Sequence, residues 1–266
     1  MPDQLAFDAL VNSAFLSPDS GGLNYLFKDI GARPSFEDPE QYVQYLEEAG
    51  VGRSVVSIMQ PEHAAWVGEA HRRFPDRVLP AMIVDPTKGM PELRRVIEYY
   101  DRYGVRCLRM PPFRYEKPPT DRIYWPFYAK AIELDIPVSM NIGMPGPRRP
   151  GWVQNPIYHD EVAFHWPELR IIMTHVGQPW IDEMISTITH WDNIYLATTS
   201  VAPKYWGDAV VQFINTRGRD KVMFGTEFPT IPWQRALSEI AELPIRDEVR
   251  PLFLRENAKK VYKWPA

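Results

Sequence analysis

Eight short β-rich runs, most of them separated by longer segments of helical periodicity, set the tightest limit on what this chain can fold into. The runs are Leu5–Val11, Ser54–Met59, Val78–Val84, Val105–Arg109, Pro137–Asn141, Leu169–His175, Asn193–Thr198 and Lys221–Thr226. After the first run, Pro39–Gly50 carries Tyr42, Val43, Leu46 and Ala49 on one helical face. Pro91–Tyr103 does the same with Leu93, Val96, Ile97 and Tyr100. Gly50 and Gly104 are the expected stops. Continuous apolar strands that alternate with amphipathic helices pair in parallel and are covered on both faces. Eight such units in 266 residues, 45% of them apolar, match a single-domain α/β fold, a (β/α)8 TIM barrel over 1–266. An open doubly wound sheet is the rival, but the glycine fingerprint it needs after strand one is replaced by DALVNS over Asp8–Ser13. Many of the 27 prolines, Pro61, Pro86, Pro111 and Pro229 among them, fall just after strands and stiffen the strand-to-helix loops.

Charge and cysteine content narrow the partners. A net charge of −4 leaves no basic field for nucleic acid or an anionic membrane, so a small-molecule substrate is the expected partner. The single cysteine, Cys107, excludes an internal disulfide. No apolar run approaches the roughly 20 residues of a membrane span. The segment after Asp3 has no charged-then-apolar leader pattern, and a cytoplasmic protein is the expectation.

In a barrel of this type the active site forms at the carboxyl ends of the strands. Those ends are polar here: Asp8 and Asn12, Gln60 with Glu62 and His63, Asp85, Arg109, Asn141, His175 with Gln178, Thr198 to Ser200, and Glu227. Any one of these serves as readily as a helix cap or an ion-pair partner; their convergence is what marks the end. Trp152, Tyr158, Trp180, Tyr205, Trp206, Phe228 and Trp233 gather after strands five to eight. They suit a flat aromatic substrate or, equally, loop packing and an oligomer interface.

Along nearly its whole length the chain resembles the amidohydrolase-related family of metal-dependent barrels, in particular the branch of decarboxylases and pyrone-dicarboxylate lactonases. The resemblance is carried by FDALVN at Phe7–Asn12, EEAGVGRSVVS at Glu47–Ser57, FPDRVLPAMIVDP at Phe74–Pro86 and GVRCLRMPPF at Gly104–Phe113. It continues in IPVSMNIG at Ile136–Gly143, WPELRIIMTHVGQPW at Trp166–Trp180, KVMFGTEFP at Lys221–Pro229 and RENAKKVYKW at Arg255–Trp264. It implies metal ligands on strands one, five, six and eight, and often a homodimer. At those positions this chain has Leu10 and Asn12, Asn141, His175 and Glu227. Zinc or manganese takes three or more anionic or imidazole ligands, which a leucine and two neutral amides do not supply. No metal and no other cofactor is therefore expected, with His175 and Glu227 the one remnant that could hold a metal weakly. His71, His159, His165 and His190 fall on predicted helices or their ends.

Without a metal, the family's chemistry needs hydrogen-bond donors and cations at the developing negative charge. The resemblance then makes His175 the leading general acid/base, and Glu227 either a base toward water or the partner that orients His175. Asn141 and Asn12 can donate to an oxyanion. Arg109, with Arg148 or Arg149, can bind a substrate carboxylate, although Arg109 could instead answer Asp85 or Glu227 in a structural pair. His63, Thr198 and Trp180 complete the expected substrate-binding set. Three classes stay open: a metal-independent lyase or hydrolase that cleaves a C–C bond by decarboxylation or retro-Claisen hydrolysis, a metal-independent ester or lactone hydrolase, and a barrel that has lost activity.

Overall fold

The computed structural model describes residues 4–16 and 34–264. Eight strands form one sheet: β1 Ala6–Asn12, β2 Val51–Ile58, β3 Val78–Ile83, β4 Leu108–Arg109, β5 Val138–Asn141, β6 Ile171–Thr174, β7 Ile194–Ala197 and β8 Val222–Met223. Their spatial order is their chain order and every neighbouring pair is parallel. The seam between β1 and β8 is joined by backbone bonds from Ala9 N–H to the Phe224 carbonyl (3.0 Å), Asn12 N–H to Phe228 (2.8 Å) and Glu227 N–H to Leu10 (2.9 Å). A single-domain (β/α)8 barrel results.

The helices between the strands are α1 Pro39–Glu48, α2 Ala64–Arg73, α3 Met90–Tyr103, α4 Trp125–Glu133, α5 Tyr158–His165, α6 Ile181–His190, α7 Asp208–Asn215 and α8 Trp233–Ala241, with α9 Asn257–Tyr262 at the end. Local chemistry explains their ends. Asp38 caps α1 by accepting the Glu40 N–H at 2.7 Å, Gln41 reaches back to the Asp38 N–H, and Pro39 supplies a preset φ at the first position. Gly104 closes α3 in the left-handed region at φ 73°, where a Cβ would be strained.

Most of the expected strands lose a residue or more at their ends, and two keep only two residues each, for identifiable reasons. Val105–Arg109 shrinks to Leu108–Arg109 because Pro80 within β3 and Pro137 just before β5 have no N–H to offer. At its start the β3 side keeps the bond from Arg106 N–H to the Pro80 carbonyl, 2.8 Å. Lys221–Thr226 shrinks to Val222–Met223 because the Phe224 N–H turns to the Phe253 carbonyl (2.9 Å) and the next residues turn toward β1.

The barrel interior holds Phe7, Ala9, Val55, Leu79, Ala81, Cys107, Ile172, Ala197 and Met223, joined by Tyr262 and Trp264 from the chain's end. Phe7 meets Trp264 edge-on at 4.9 Å, and the Tyr262 hydroxyl donates to the Ala9 carbonyl at 2.8 Å. Burying each large side chain there contributes roughly 1.5–3 kcal/mol. The end opposite this plug is left to the strand-end residues. No helix among the described residues is long and apolar enough to cross a membrane.

Candidate active site

Arg109 crosses the strand-end mouth from β4 and is only 2% exposed. Its Nη1–H donates to Asn12 Oδ1 at the end of β1, and its Nη2–H to Glu227 Oε1 just past β8. Nη1 also lies 3.8 Å from Met59 Sδ, while the buried Nε–H has no hydrogen-bond partner among the described residues. Ser200 Oγ–H donates to the other oxygen of Glu227. Both oxygens of that carboxylate are therefore occupied. Burial is the largest influence on Glu227 and pushes its pKa up. The Arg109 charge, His175 and the donated hydrogen bonds outweigh it and hold the carboxyl below its ordinary value. Glu227 is an anion at neutral pH.

His175 follows β6, buried. Its backbone N–H donates to Thr199 Oγ1 at 3.0 Å, and its Nδ1 faces two oxygens of Thr199, the hydroxyl at 2.9 Å and the carbonyl at 3.3 Å. Burial, the largest influence, lowers the imidazole pKa; the Arg109 charge acts the same way, while Glu227 and the Thr199 carbonyl oppose it. The ring is neutral at pH 7. His175, Ser200 and Glu227 all take left-handed backbone angles, φ 78°, 63° and 56°. Residues with a Cβ adopt that region at a cost of order 1–3 kcal/mol, and such outliers gather at functional sites.

The remaining candidates divide. Asn141, at the end of β5, accepts the Thr174 hydroxyl at 3.1 Å and is buried. His63 is buried on the turn after β2, where burial lowers its pKa and Glu62 opposes the shift. Its Nδ1 lies 2.7 Å from Ser13 Oγ, which itself accepts the Met59 N–H at 3.0 Å. Thr198 turns away from this group: its N–H and hydroxyl both reach the Met223 carbonyl, at 3.1 and 3.4 Å. Trp180 is half-buried just before α6, and Arg148 is exposed in the loop after β5 beside Arg149, which pairs with Glu116. Of the aromatic residues, Trp206, Phe228 and Trp233 belong to the core, Phe228 stacking on Trp233 at 4.0 Å, so the expected aromatic wall thins to Trp152, Tyr158, Trp180 and Tyr205.

Two groups lie outside the expected catalytic and substrate-binding set, Thr199 within the polar Thr198 to Ser200 stretch and Arg114 beyond it. Thr199, rather than its neighbour Thr198, is the residue that meets His175, a difference of one position that becomes ambiguous once β7 ends at Ala197. Arg114, in the turn after β4, is exposed; its pKa is lowered by desolvation first and by the Arg109 charge second, with Tyr115 and Glu227 opposing. A second arginine five residues beyond Arg109 was its only signal.

The donor set does not fit a divalent ion. Among the described residues no three His, Cys, Asp or Glu side chains come together in a way that could hold one. The carboxylate that ends the barrel is already bridged to Asn12 by the Arg109 guanidinium, and Leu10 is buried at 2% exposure.

A sequence profile of the amidohydrolase family matches residues 21–264. No functionally curated protein matches the chain. Among solved structures, an uncharacterized TIM-barrel protein from Bordetella bronchiseptica is 20% identical with a TM-score of 0.78, the match covering 97% of this chain and 98% of that one. A dihydroxybenzoic acid decarboxylase from Polaromonas, with bound manganese and 2-nitroresorcinol, is 16% identical with a TM-score of 0.69 over 98% of this chain and 96% of the other. A probable 2-pyrone-4,6-dicarboxylic acid hydrolase from Acinetobacter baumannii, with citric acid bound, is 13% identical with a TM-score of 0.63 over 97% and 99%. At these identities the structural likeness speaks for the fold.

Proposed function

We propose that this chain, which belongs to the amidohydrolase family, is an enzyme that cleaves a carbon–carbon bond of a small aromatic or carboxylated molecule without a divalent metal, with His175 as its acid/base. The observation that carries this reading is the buried His175, its Nδ1 on Thr199, in one strand-end group with a buried Glu227 whose oxygens are held by Arg109 and Ser200; burial lowers the imidazole pKa and the Arg109 charge helps keep the carboxyl low.

Of the two routes to such a cleavage, water attack on a β-dicarbonyl suits a neutral imidazole better than decarboxylation, which starts by giving a proton to carbon. His175 takes a proton from water as the oxygen adds to one carbonyl carbon. The oxyanion that forms draws on Arg109 and Asn141 as donors, in the role a metal plays in relatives. The C–C bond then breaks, its electron pair leaves as an enolate, and the His175 imidazolium returns the proton to the enolate carbon. Water and a β-dicarbonyl thus give a carboxylic acid and a ketone, with no oxidant or reductant. Glu227 acts through its charge, stabilising the imidazolium, since both its oxygens already accept hydrogen bonds. Asn12 and Glu227 hold Arg109 in place. Arg114 and Arg148 at the rim are the cations for a substrate carboxylate, with His63 and Trp180 nearer the wall. An ester or lactone would meet the same base and donors, and the likeness to a pyrone-dicarboxylic acid hydrolase supports its hydrolysis as the second reading.

The test is to incubate the protein with a carboxylated 1,3-diketone in ¹⁸O-water, with and without EDTA, beside His175→Gln. Expected is ¹⁸O-labelled acid that persists under EDTA and falls roughly 10³-fold in the variant. Activity lost to EDTA and restored by manganese or zinc would overturn the metal-free mechanism. Turnover retained by His175→Gln would remove the histidine from it. Labelled acid from lactones alone would favour the second reading, and inertness toward all of them a barrel that has lost activity.

A further inference from the structure

We infer that Thr199 is a positioning residue of this site: it holds His175 as the Nδ1–H tautomer, leaving the Nε2 lone pair to act on substrate. With Ser200 it also makes the exit of β7 the common support of His175 and Glu227. The inference rests on His175 being the acid/base proposed above, but its first test needs no turnover.

Two oxygens of Thr199 face one nitrogen. The carbonyl oxygen, 3.3 Å from Nδ1, can only accept. Thr199 Oγ1, 2.9 Å away, already accepts the His175 backbone N–H at 3.0 Å and has a second lone pair for Nδ1–H. If the hydroxyl instead donated to Nδ1, the ring lone pair would lie against the carbonyl lone pairs. With the ring proton on Nδ1, no lone pair of the ring faces the carbonyl oxygen. No protein group hydrogen-bonds Nε2 among the described residues.

The position of Thr199 is itself built. Its side chain is fully buried, and a Cβ placed on Gly225 would lie 2.6 Å from Thr199 Cγ2, closer than side-chain contacts allow. Glycine at 225 therefore admits the threonine methyl against the end of β8. A β-branched side chain pinned by its methyl has one χ1 left, the one that turns Oγ1 toward His175. The backbone around it is tight, with Thr199 N–H bonded to the Ala197 carbonyl and Val201 N–H to the Thr199 carbonyl, both at 2.8 Å. The next residue, Ser200, is left-handed and delivers its hydroxyl to Glu227 Oε2. Adjacent residues of one loop thus reach the two groups of the proposed chemistry, one on either side of β7.

The experiment is ¹⁵N NMR of histidine-labelled protein, with His175→Gln identifying the His175 signals. Expected at neutral pH are a pyrrole-type Nδ1 and a pyridine-type Nε2. Thr199→Val, which keeps the carbonyl but removes the hydroxyl, should leave the proton on Nδ1 with a weaker hydrogen bond and so move the Nδ1 signal upfield, and Thr199→Ser should restore the wild-type position. Turnover of Thr199→Val should fall roughly tenfold, the loss of about one hydrogen bond, with Thr199→Ser close to wild type. A pyridine-type Nδ1 in the wild-type protein overturns the inference, even if Thr199→Val fails to fold. So does a Thr199→Val spectrum identical to wild type. Correct tautomers without turnover on any substrate would leave the positioning role standing and count against the proposed activity instead.

Discussion

Asp8 and Glu227 are buried carboxylates on the two sides of the β1–β8 seam, and they answer burial in opposite ways. Asp8, fully buried, accepts four neutral donors: the N–H groups of Leu10 and Thr226 at 3.0 Å each, the Thr226 hydroxyl, and Trp233 Nε1–H at 2.7 Å. Desolvation outweighs these bonds, and its pKa is pushed up to about 6. Glu227 has fewer donors but one of them is a guanidinium, with a histidine beyond it, and its pKa is held down. Four dipoles place a carboxylate without offsetting the desolvation that raises its pKa; a formal charge of opposite sign offsets it and holds the pKa below its ordinary value. Asp8 is a clasp that ties the ends of the sheet together, whereas Glu227 is part of a charge arrangement with a free histidine edge beside it.

The largest test removes the clasp. Asp8→Ala leaves four donors without an acceptor at the only seam where the last strand meets the first. At about 1 kcal/mol for each it should cost about 4 kcal/mol in urea unfolding. A loss under about 1 kcal/mol would mean that water replaces the carboxylate at no penalty and that the seam does not depend on it.

The sequence made the clasp's position legible and left its purpose obscure. Asp8 stands among the polar strand-end residues, but its partners lie 218 and 225 residues further on, and no local pattern ties Thr226 and Trp233 to it. The barrel was readable because strand and helix periods repeat eight times and survive errors at any one boundary. The ends of β4 and β8 were not, since they depend on which neighbouring strand has a proline and on where Phe253 points its carbonyl. In the site, Asn12, Arg109, Asn141, His175 and Glu227 could be found as strand-end side chains. That Arg109 spans the mouth to two of them is a fact of three dimensions, as is the choice between Thr198 and Thr199.

The second test uses pH to separate the two carboxylates. Asp8 has a folded pKa of about 6 against an ordinary 3.8, so protonation favours the fold. Its contribution is full below about pH 4 and is lost as pH rises through 6, roughly 3 kcal/mol in all. Glu227 has the opposite sign: its contribution is present above its ordinary 4.5 and lost as pH falls through the lowered value. The stability of the wild-type protein relative to Asp8→Asn, which does not titrate, should therefore decline between pH 4 and 7. A difference that rises over this range would give Asp8 a cation-like environment and erase the contrast with Glu227.

The smallest test asks which carboxylate is held by strained backbone. Ser200, the hydroxyl donor to Glu227, sits at φ 63°, while Thr226, the hydroxyl donor to Asp8, has no such angle. Ser200→Ala loses a hydrogen bond to a charged acceptor and keeps the strain, for about 1.5 kcal/mol. Ser200→Gly loses the same bond but relaxes the left-handed residue, and about 1 kcal/mol should return. At Thr226 the order reverses, because glycine there gains no relief and adds roughly 0.5–1 kcal/mol of unfolded-chain entropy relative to alanine. Glycine above alanine at 200 and below it at 226, read in melting temperatures, would place the strain on the Glu227 side. The same order at both positions would mean that the seam stores no more strain beside Glu227 than beside Asp8.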